Sequence, residues 1–320
     1  MKISVVICTY RRPSLLAEAL KSAVDQEFAV GEYEVIVVDN NSKDETPKIV
    51  GQIQDATNVP VRYEVETKKG LSHARNCGIR QSRGGIIAFL DDDAVADRRW
   101  ITEILHVYDK YPRAWAVGGK IEPIWHGKRP DWLIDHYLRW LSLLDLGPDL
   151  RPVNWNNRID RIIGANCSFQ KKAFEQLGPF RTELGRIGES LVGDEDTELQ
   201  ERIHSAGYDV YYSPRAIVKH HVPEDRISKS YFRKRSAGAG ETIALRSYRL
   251  KGLCGLARYT LWNFIMQFKE TAMFLYYFIT GNAKKKFEYD LYYFFLFGFY
   301  KRSILLVGSR MFGWLNRMSR

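Results

Sequence analysis

Short runs of β-branched and other apolar residues alternate with stretches of helical periodicity over the first 120 residues. Strands are predicted at the apolar runs, residues 3–10 (ISVVICTY), 33–40 (YEVIVVDN), 61–66 (VRYEVE) and 85–93 (GIIAFLDDD). Helices are predicted between them, at residues 13–26, 43–54 and 71–82, with Ser42 and Ser72 starting the second and third. Strands joined by helices form right-handed parallel units, so the pattern predicts an α/β fold with a mostly parallel central sheet flanked by helices.

An unbroken acidic triplet, Asp91-Asp92-Asp93, closes the last of these strands. Alternate side chains of a strand face the same way, so Asp91 and Asp93 are predicted to converge, with Asp92 turned towards protein. Two converging carboxylates suit a hard divalent cation, Mg²⁺ or Mn²⁺, which keeps positions open for water and phosphate oxygens. An isolated acidic triplet is more often a solvated turn. A metal site is favoured here because other polar groups are predicted to lie nearby.

Further polar groups fall where the ligands of such sheets bind, beyond the carboxyl ends of the strands. Thr9-Tyr10-Arg11 and Asp39-Asn40 lie at that edge. A second acidic cluster, GDEDTEL at 193–199, opens a predicted helix, where carboxylates either suit the helix dipole or supply a general base. His220-His221 ends an extended run, where an imidazole is structural, contacts a phosphate or completes a metal site.

The charge of the chain is divided unevenly. Residues 1–225 carry 30 Lys and Arg against 34 Asp and Glu, whereas residues 226–320 carry 18 against 4. This basic third contains two aromatic-rich apolar runs, 259–281 and 291–315, which Lys269-Glu270 and Lys301-Arg302 interrupt. Charges so placed do not suit a spanning helix, and the pattern favours interfacial helices on an anionic membrane surface. Helices packed on the catalytic core, or on a second subunit in a homo-oligomer, are the alternative.

The cysteines and the N-terminus indicate the cellular compartment in which the protein works. The four cysteines are scattered without metal-binding spacing, which argues against a zinc finger or a disulfide scaffold and fits a reducing compartment. The apolar run before Arg11 is too short for a signal peptide. We therefore expect a protein that starts in the cytosol and works at the cytoplasmic face of the cell membrane, in a peripheral or interfacial position.

Seven motifs, in this order, resemble the inverting glycosyltransferases of family 2, of the membrane-associated bacterial type: SVVICTYRR, EVIVVDNNSKDET, GLSHARNCGI, IIAFLDDD, GANCSFQKKAF, GDEDTEL and PRAIVKHHV. The resemblance implies a GT-A fold, with a Rossmann-like sheet, over residues 1–225. Residues 1–120 would be the nucleotide-binding half and 121–225 the acceptor-binding half, followed by a helical, membrane-associated extension at 226–320. It also implies a nucleotide-sugar donor, a divalent cation and transfer to a hydroxyl with inversion.

Residue roles follow from the same resemblance. Asp196 matches the catalytic base and Glu195 its supporting carboxylate, although Asp194 interrupts the usual Gly-Glu-Asp pattern after Gly193. The implied metal ligands are Asp93, Asp91 and His220, with His221 as the substitute for His220. The implied nucleotide-binding residues are Thr9, Tyr10, Arg11, Asp39, Arg75, Asn76, Asp91 and Asp92.

These observations favour a metal-dependent glycosyltransferase that builds a cell-surface polysaccharide or glycolipid, with a glycan or lipid-linked acceptor. A UDP-sugar donor is favoured because Asp39 suits the uracil imide, while GDP and dTDP donors stay open. A nucleotidyltransferase is less consistent with the sequence, which has no Gly-rich phosphate loop followed by Lys. An inactive membrane-bound scaffold is disfavoured by the full set of acidic residues. The acidic balance of residues 1–225 argues against a nucleic-acid partner.

Overall fold

The structure, a computed structural model, describes residues 1–157, 159–188, 190–281 and 283–318, apart from the side chains at 283–284 and 310–318. The chain divides into two compact units. The first comprises most of residues 1–224 and contains the sheet. The second comprises the chain from Asp225 onward, together with two short segments that include Trp132 and Leu191.

The predicted alternation of strands and helices is confirmed in the first half of the sheet unit. The elements there are β1 (Ile3–Thr9), α1 (Pro13–Val24), β2 (Tyr33–Asp39), α2 (Thr46–Ala56), β3 (Val61–Val65), α3 (Leu71–Gln81) and β4 (Ile86–Asp91). The predicted helix starts at Ser42 and Ser72 are wrong. Helix α2 begins at Thr46, whose N–H is bound by the Asp44 carboxylate, and Ser72 lies inside α3.

The remainder of the sheet unit contains shorter elements around two long strands. They are β5 (Ala94–Ala96), α4 (Trp100–Lys110), β6 (Ala114–Trp125), a 3₁₀ helix (Asp135–Leu141), β7 (Arg151–Pro152), β8 (Asn166–Gln170), α5 (Lys171–Leu177), α6 (Glu195–Ser205) and β9 (Asp209–Val222). Further 3₁₀ turns lie at Thr182–Leu184 and Glu224–Ile227.

Within the described residues the strands form one sheet in the order β3-β2-β1-β4-β8-β6-β9-β5, with β7 paired to β9. Strands β1 to β4 are mutually parallel, as predicted, and so are β6 and β9. Strand β8 runs antiparallel to both β4 and β6, which makes the sheet mixed. The carboxyl ends of β1, β2 and β4 therefore meet at one edge, and the pairing of Ala94 with His220 brings β9 to the same place.

Apolar layers cover both faces of the sheet, as expected for an α/β fold. One layer packs α1 and α4 against the strands through residues such as Leu16, Leu20 and Trp100. The other packs α3, α5 and α6, and it contains an edge-to-face aromatic cluster of Phe89, Phe169, Phe174 and Phe180. These buried layers hold the strand ends in fixed positions, which is what a site built on their last residues requires.

The second unit is built on two long helices, α7 (Lys229–Ile279) and α8 (Ala283–Met318). Helix α7 is kinked at Gly252, which has φ 63° and ψ −156°. Before the kink, α7 packs closely on α8, because a Cβ added at Gly240 would meet the backbone of Phe295 and Phe299. The helices that the structure describes include none whose apolar stretch is long enough to cross a membrane.

Gly119 lies at an irregularity in the β6–β9 pairing, where the two backbones approach closely. A Cβ at this position would overlap the carbonyl group of Ala216. We expect Gly119→Ala to lower the free energy of unfolding by about 3 kcal/mol, because backbone cannot move aside as a flexible side chain can. Chemical denaturation followed by circular dichroism measures the change.

The matched control is Gly51→Ala in α2, where an added Cβ meets nothing within 4 Å. It should be neutral or stabilising by about 0.5–1 kcal/mol, since Ala is the better helix former. Equal stability of Gly119→Ala and the wild type would contradict the close approach of β6 and β9.

Candidate active site

The acidic triplet spans the end of a strand and the turn that follows it. Strand β4 ends at Asp91, Asp92 and Asp93 form the turn, and β5 begins at Ala94. The strand predicted for residues 85–93 is therefore too long at its end, and the alternation of side chains does not extend to Asp93. Asp91 and Asp93 still converge, because the turn and the pairing of β5 with β9 bring both towards His220.

Asp91, Asp93 and His220 each offer one ligand atom, and these atoms all lie within 4.8 Å of one another. His220 Nε2 is 3.1 Å from Asp93 Oδ1, and both side chains are buried. His220 Nδ1 is also buried and has no hydrogen-bond partner among the described residues. Two carboxylates and an imidazole are donors that suit a divalent cation such as Mn²⁺ or Mg²⁺. These three residues could therefore hold a metal ion.

His221 is directed away from this cluster, although it follows His220 directly. Its Nδ1 is 2.6 Å from His126 Nε2, and its Nε2 is 3.2 Å from Glu18 Oε2. Its backbone N–H donates to the carbonyl of Asp93 at 2.9 Å, which fixes the acidic turn against β9. Of the two histidines, His220 is thus the one placed to bind a cation.

Arg12 supplies positive charge to the acidic turn. Its Nη1 lies 2.9 Å from Asp93 Oδ2 and 3.2 Å from Asp92 Oδ1. Arg12 belongs to the motif SVVICTYRR, but the resemblance implied a role for Arg11 and none for Arg12. Arg11 instead lies over the ring of Tyr10, 5.1 Å from its centroid.

Asp92 faces protein, with both carboxylate oxygens engaged. Oδ2 accepts a hydrogen bond from Thr9 Oγ1 at 2.8 Å, and Oδ1 is paired with Arg12. Burial and the neighbouring Asp93 raise the pKa of Asp92 to about 7, against the opposing effect of Arg12. Asp92 and Thr9, both included among the implied nucleotide-binding residues, are therefore placed to hold the turn to the end of β1.

Asp39 anchors the loop that follows β1. Its Oδ1 accepts from Ser42 Oγ at 2.5 Å and its Oδ2 from Tyr63 Oη at 2.7 Å. Ser42 Oγ in turn accepts from the backbone N–H of Arg11, a residue held at φ 56°. The pKa of Tyr63 is raised, first by burial and then by this bond to Asp39. Asp39 thus lies at the edge expected for nucleotide contact and also shapes the Thr9–Arg12 loop.

Arg75 is buried and joins the acidic turn to α6. Its Nη2 lies 3.1 Å from Asp91 Oδ1, and its Nη1 lies 2.8 Å from Glu195 Oε1. Nη2 also donates to the carbonyl of Gly164 at 3.0 Å. Asn76, the next residue, points elsewhere and exchanges hydrogen bonds with the backbone of Phe180. The structure therefore brings Arg75 into the site and uses Asn76 to hold a loop.

Glu195 and Asp196 open α6 but have different surroundings. Burial raises the pKa of Glu195 to about 7, although the ion pair with Arg75 acts in the opposite direction. Asp196 is partly exposed and accepts hydrogen bonds from the backbone N–H groups of Gly164, at 2.7 Å, and Thr197, at 2.8 Å. Of the two carboxylates, Asp196 is the one that a substrate can reach.

A family model described as Glycosyl transferase family 2 matches residues 4–178, more than half of the chain. The chain belongs to glycosyl transferase family 2. It is 31% identical over 230 residues to a glucosyl-dolichyl phosphate glucuronosyltransferase of Haloferax volcanii, covering 71% of each chain. It is also 30% identical over 244 residues to the succinoglycan biosynthesis protein ExoM of Rhizobium meliloti, covering 76% of this chain and 74% of that one. The protein is accordingly a glycosyltransferase.

A solved structure supports the fold of this family 2 enzyme. The mannosyltransferase PcManGT of Pyrobaculum calidifontis, in complex with GDP-Man and Mn²⁺, superposes with a TM-score of 0.61. The match covers 94% of this chain and 86% of the mannosyltransferase at 20% sequence identity. The predicted GT-A fold is thereby confirmed.

The raised pKa of Glu195 predicts a specific pH dependence of stability. The pKa of Glu195 in the folded protein, about 7, lies above the ordinary value of 4.5, so the Glu195 carboxyl group holds its proton more tightly in the folded protein than in the unfolded chain. Stability from this group is therefore lost as the pH rises between those values, by an amount on the order of 2 kcal/mol. We expect Glu195→Gln, which cannot ionise, to show a smaller fall in Tm over this range.

The control is Glu175→Gln at an exposed position of α5, which should keep the wild-type dependence of Tm on pH. Parallel Tm profiles for Glu195→Gln and the wild type would show that Glu195 is ionised throughout the range, contrary to this expectation.

Proposed function

We propose that this glycosyltransferase transfers a sugar, with inversion, from a nucleotide-sugar donor to a hydroxyl of a glycan or lipid-linked acceptor. The product would belong to a cell-surface polysaccharide or glycolipid. The observation that carries the proposal is the grouping of Asp91, Asp93 and His220, which Arg75 joins to the start of α6, where Asp196 is partly exposed. A cluster of two Asp and one His suits a divalent cation that binds together with a sugar nucleotide. Asp196 suits a base that takes the proton of an acceptor hydroxyl.

Departure of the nucleoside diphosphate requires stabilisation of its negative charge. A divalent cation held by Asp91, Asp93 and His220 would supply that stabilisation when bound. Mn²⁺ and Mg²⁺ both suit the carboxylates, and the imidazole is a ligand more typical of transition metals than of Mg²⁺. Arg75 contributes a buried positive charge beside Asp91, which supports the same edge of the site.

Asp196 is the proposed general base. Two backbone N–H groups orient its carboxylate at the start of α6, so it accepts the proton of the acceptor hydroxyl without reorganising. Glu195 does not suit a nucleophile, because it is buried and paired with Arg75. Of Glu195 and Asp196 only Asp196 is partly exposed, which favours direct displacement with one base and inversion at the anomeric carbon. A retaining double displacement would need a second accessible carboxylate.

The donor and the acceptor are proposed as classes of compound. A UDP-sugar remains the favoured donor because Asp39 lies at the end of β2, where its carboxylate suits the uracil imide, and GDP- and dTDP-sugars are the other candidates. The relative that acts on a glucosyl-dolichyl phosphate supports a lipid-linked acceptor, and ExoM supports a polysaccharide product. Thermal stabilisation by a panel of nucleotide sugars with Mn²⁺ distinguishes the donors.

Asp196→Asn should lower the rate of sugar transfer by about a hundredfold or more, because the amide keeps the size of the side chain but is not a base. The change is measured as kcat with the donor found in the panel. The matched control is Asp194→Asn, two residues earlier, which should retain most of the activity. If Asp194→Asn loses the activity and Asp196→Asn keeps it, the base has been assigned to the wrong carboxylate.

We further propose that the second unit binds an anionic membrane surface at the cytoplasmic face of the cell membrane. Most of the exposed large hydrophobic side chains that the structure describes lie from Leu250 onward, among them Trp262, Phe264, Ile265 and Phe268. An apolar groove of about 980 Å³ lies between α7 and α8, lined by residues such as Leu253 and Ile304. Exposed lysines at 251, 269, 285, 286 and 301 accompany this surface. Apolar surface with flanking cations suits an anionic interface.

The double variant Phe264→Ser/Ile265→Ser should lower co-sedimentation with vesicles that contain anionic lipid by about tenfold, because it removes two exposed apolar side chains. Val30→Ser in the first unit, where Val30 is 59% exposed, is the matched control and should bind vesicles like the wild type. Unchanged vesicle binding of the double variant, together with its conversion of an oligomer to a monomer, would identify a second copy of the chain as the partner of this surface.

A further inference from the structure

Arg12 binds the acidic turn from the start of α1. Its Nη1 bridges two carboxylates, Asp92 and Asp93, whose side chains are 8% and 6% exposed. The Arg12 side chain is itself 41% exposed, so it reaches the buried pair from the solvent side. Its backbone is held by the preceding residue, because Arg11 is fixed at φ 56° with its N–H bound to Ser42.

The Arg12 contact involves an atom that a cation would need. Asp93 has two carboxylate oxygens, of which Oδ1 faces His220 Nε2 at 3.1 Å and Oδ2 faces Arg12 Nη1 at 2.9 Å. A guanidinium and a divalent cation both lower the energy of the same carboxylate charge, and they repel each other. Binding of a cation to Asp93 is therefore opposed by Arg12 as long as the guanidinium stays in place.

Arg12 differs from Arg75 in its freedom to move. Arg75 is 3% exposed and is enclosed by Asp91, Glu195 and Gly164. Arg12 has a second partner in Asp92, which is oriented by Thr9 and does not belong to the Asp91, Asp93 and His220 cluster. The guanidinium can therefore leave Asp93 and keep its pair with Asp92.

We propose that Arg12 is an exchangeable counter-charge that makes cation binding depend on the nucleoside diphosphate. The inference rests on the metal site of the proposed function. Arg12 weakens the binding of a free cation, because the cation must displace it from Asp93. A diphosphate brings negative charge that attracts both the cation and the displaced guanidinium, so the cation and the nucleotide bind together more tightly than either does alone.

The first experiment measures Mn²⁺ binding to the full-length chain by calorimetry, with and without UDP or GDP. Arg12→Gln should bind Mn²⁺ alone at least about tenfold more tightly than the wild type, because one repelling charge is gone. The gain in Mn²⁺ affinity caused by the nucleotide should shrink by a similar factor. Arg12→Lys should behave like the wild type, since it keeps a positive charge beside Asp92 and Asp93.

The matched control is Arg98→Gln, which removes an equal charge from an exposed pair with Asp25 and Glu27 and should leave Mn²⁺ affinity unchanged.

A second measurement uses the wild type alone. Mn²⁺ should increase the rate at which phenylglyoxal modifies Arg12, followed by mass spectrometry, because the guanidinium is released from Asp93.

The outcomes distinguish failure of the counter-charge role of Arg12 from failure of the proposed metal site. If the wild type binds Mn²⁺ and Arg12→Gln binds it no more tightly, or if Mn²⁺ leaves the modification of Arg12 unchanged, the counter-charge role is overturned and the metal site stands. If neither the wild type nor Arg12→Gln binds Mn²⁺ with or without nucleotide, the metal site fails, and the role of Arg12 fails with it.

Discussion

Mutual repulsion of three consecutive carboxylates is the constraint on which the site depends. Asp91, Asp92 and Asp93 lie where a buried strand ends, and like charges in such a place are costly unless they are compensated. Two arginines from different elements compensate them, Arg12 at the start of α1 and Arg75 in α3. The acidic turn is therefore stable only when the ends of β1 and β4 and the helices that follow β1 and β3 are all in place.

The sequence predicted the parts of this arrangement that depend on periodicity. Alternating apolar runs located β1 to β4 because strand and helix patterns are local, and parallel order then placed Asp39 and Asp91 at one edge. The mixed character of the sheet was not predictable in this way. The position of β8, antiparallel between β4 and β6, is decided by pairing between residues distant in the chain. It is nevertheless this second half of the sheet that carries β9 and His220 to the acidic turn.

Side-chain partners were the least predictable feature. Arg11 and Arg12 are adjacent and chemically identical, yet Arg12 reaches the aspartates, whereas Arg11, at φ 56°, lies over the Tyr10 ring. Arg75 and Asn76 are also adjacent, yet α3 directs one into the site and the other onto the Phe180 backbone. A family motif names a residue type at a position. The backbone conformation determines whether that residue meets a ligand or supports its neighbours.

Arg75 also explains why the neighbouring carboxylates Glu195 and Asp196 of α6 suit different proposed roles. Its guanidinium is shared between Asp91, on the donor side of the proposed site, and Glu195, at the start of α6. Glu195 is therefore occupied in holding that charge, and movement of Glu195 would expose two buried groups at once. Among the described residues, the hydrogen bonds to the Asp196 carboxylate come from backbone N–H groups, so Asp196 can accept a proton while the network through Arg75 stays intact. The two proposed roles follow from burial, because Glu195, paired with Arg75, is buried, whereas Asp196 is partly exposed.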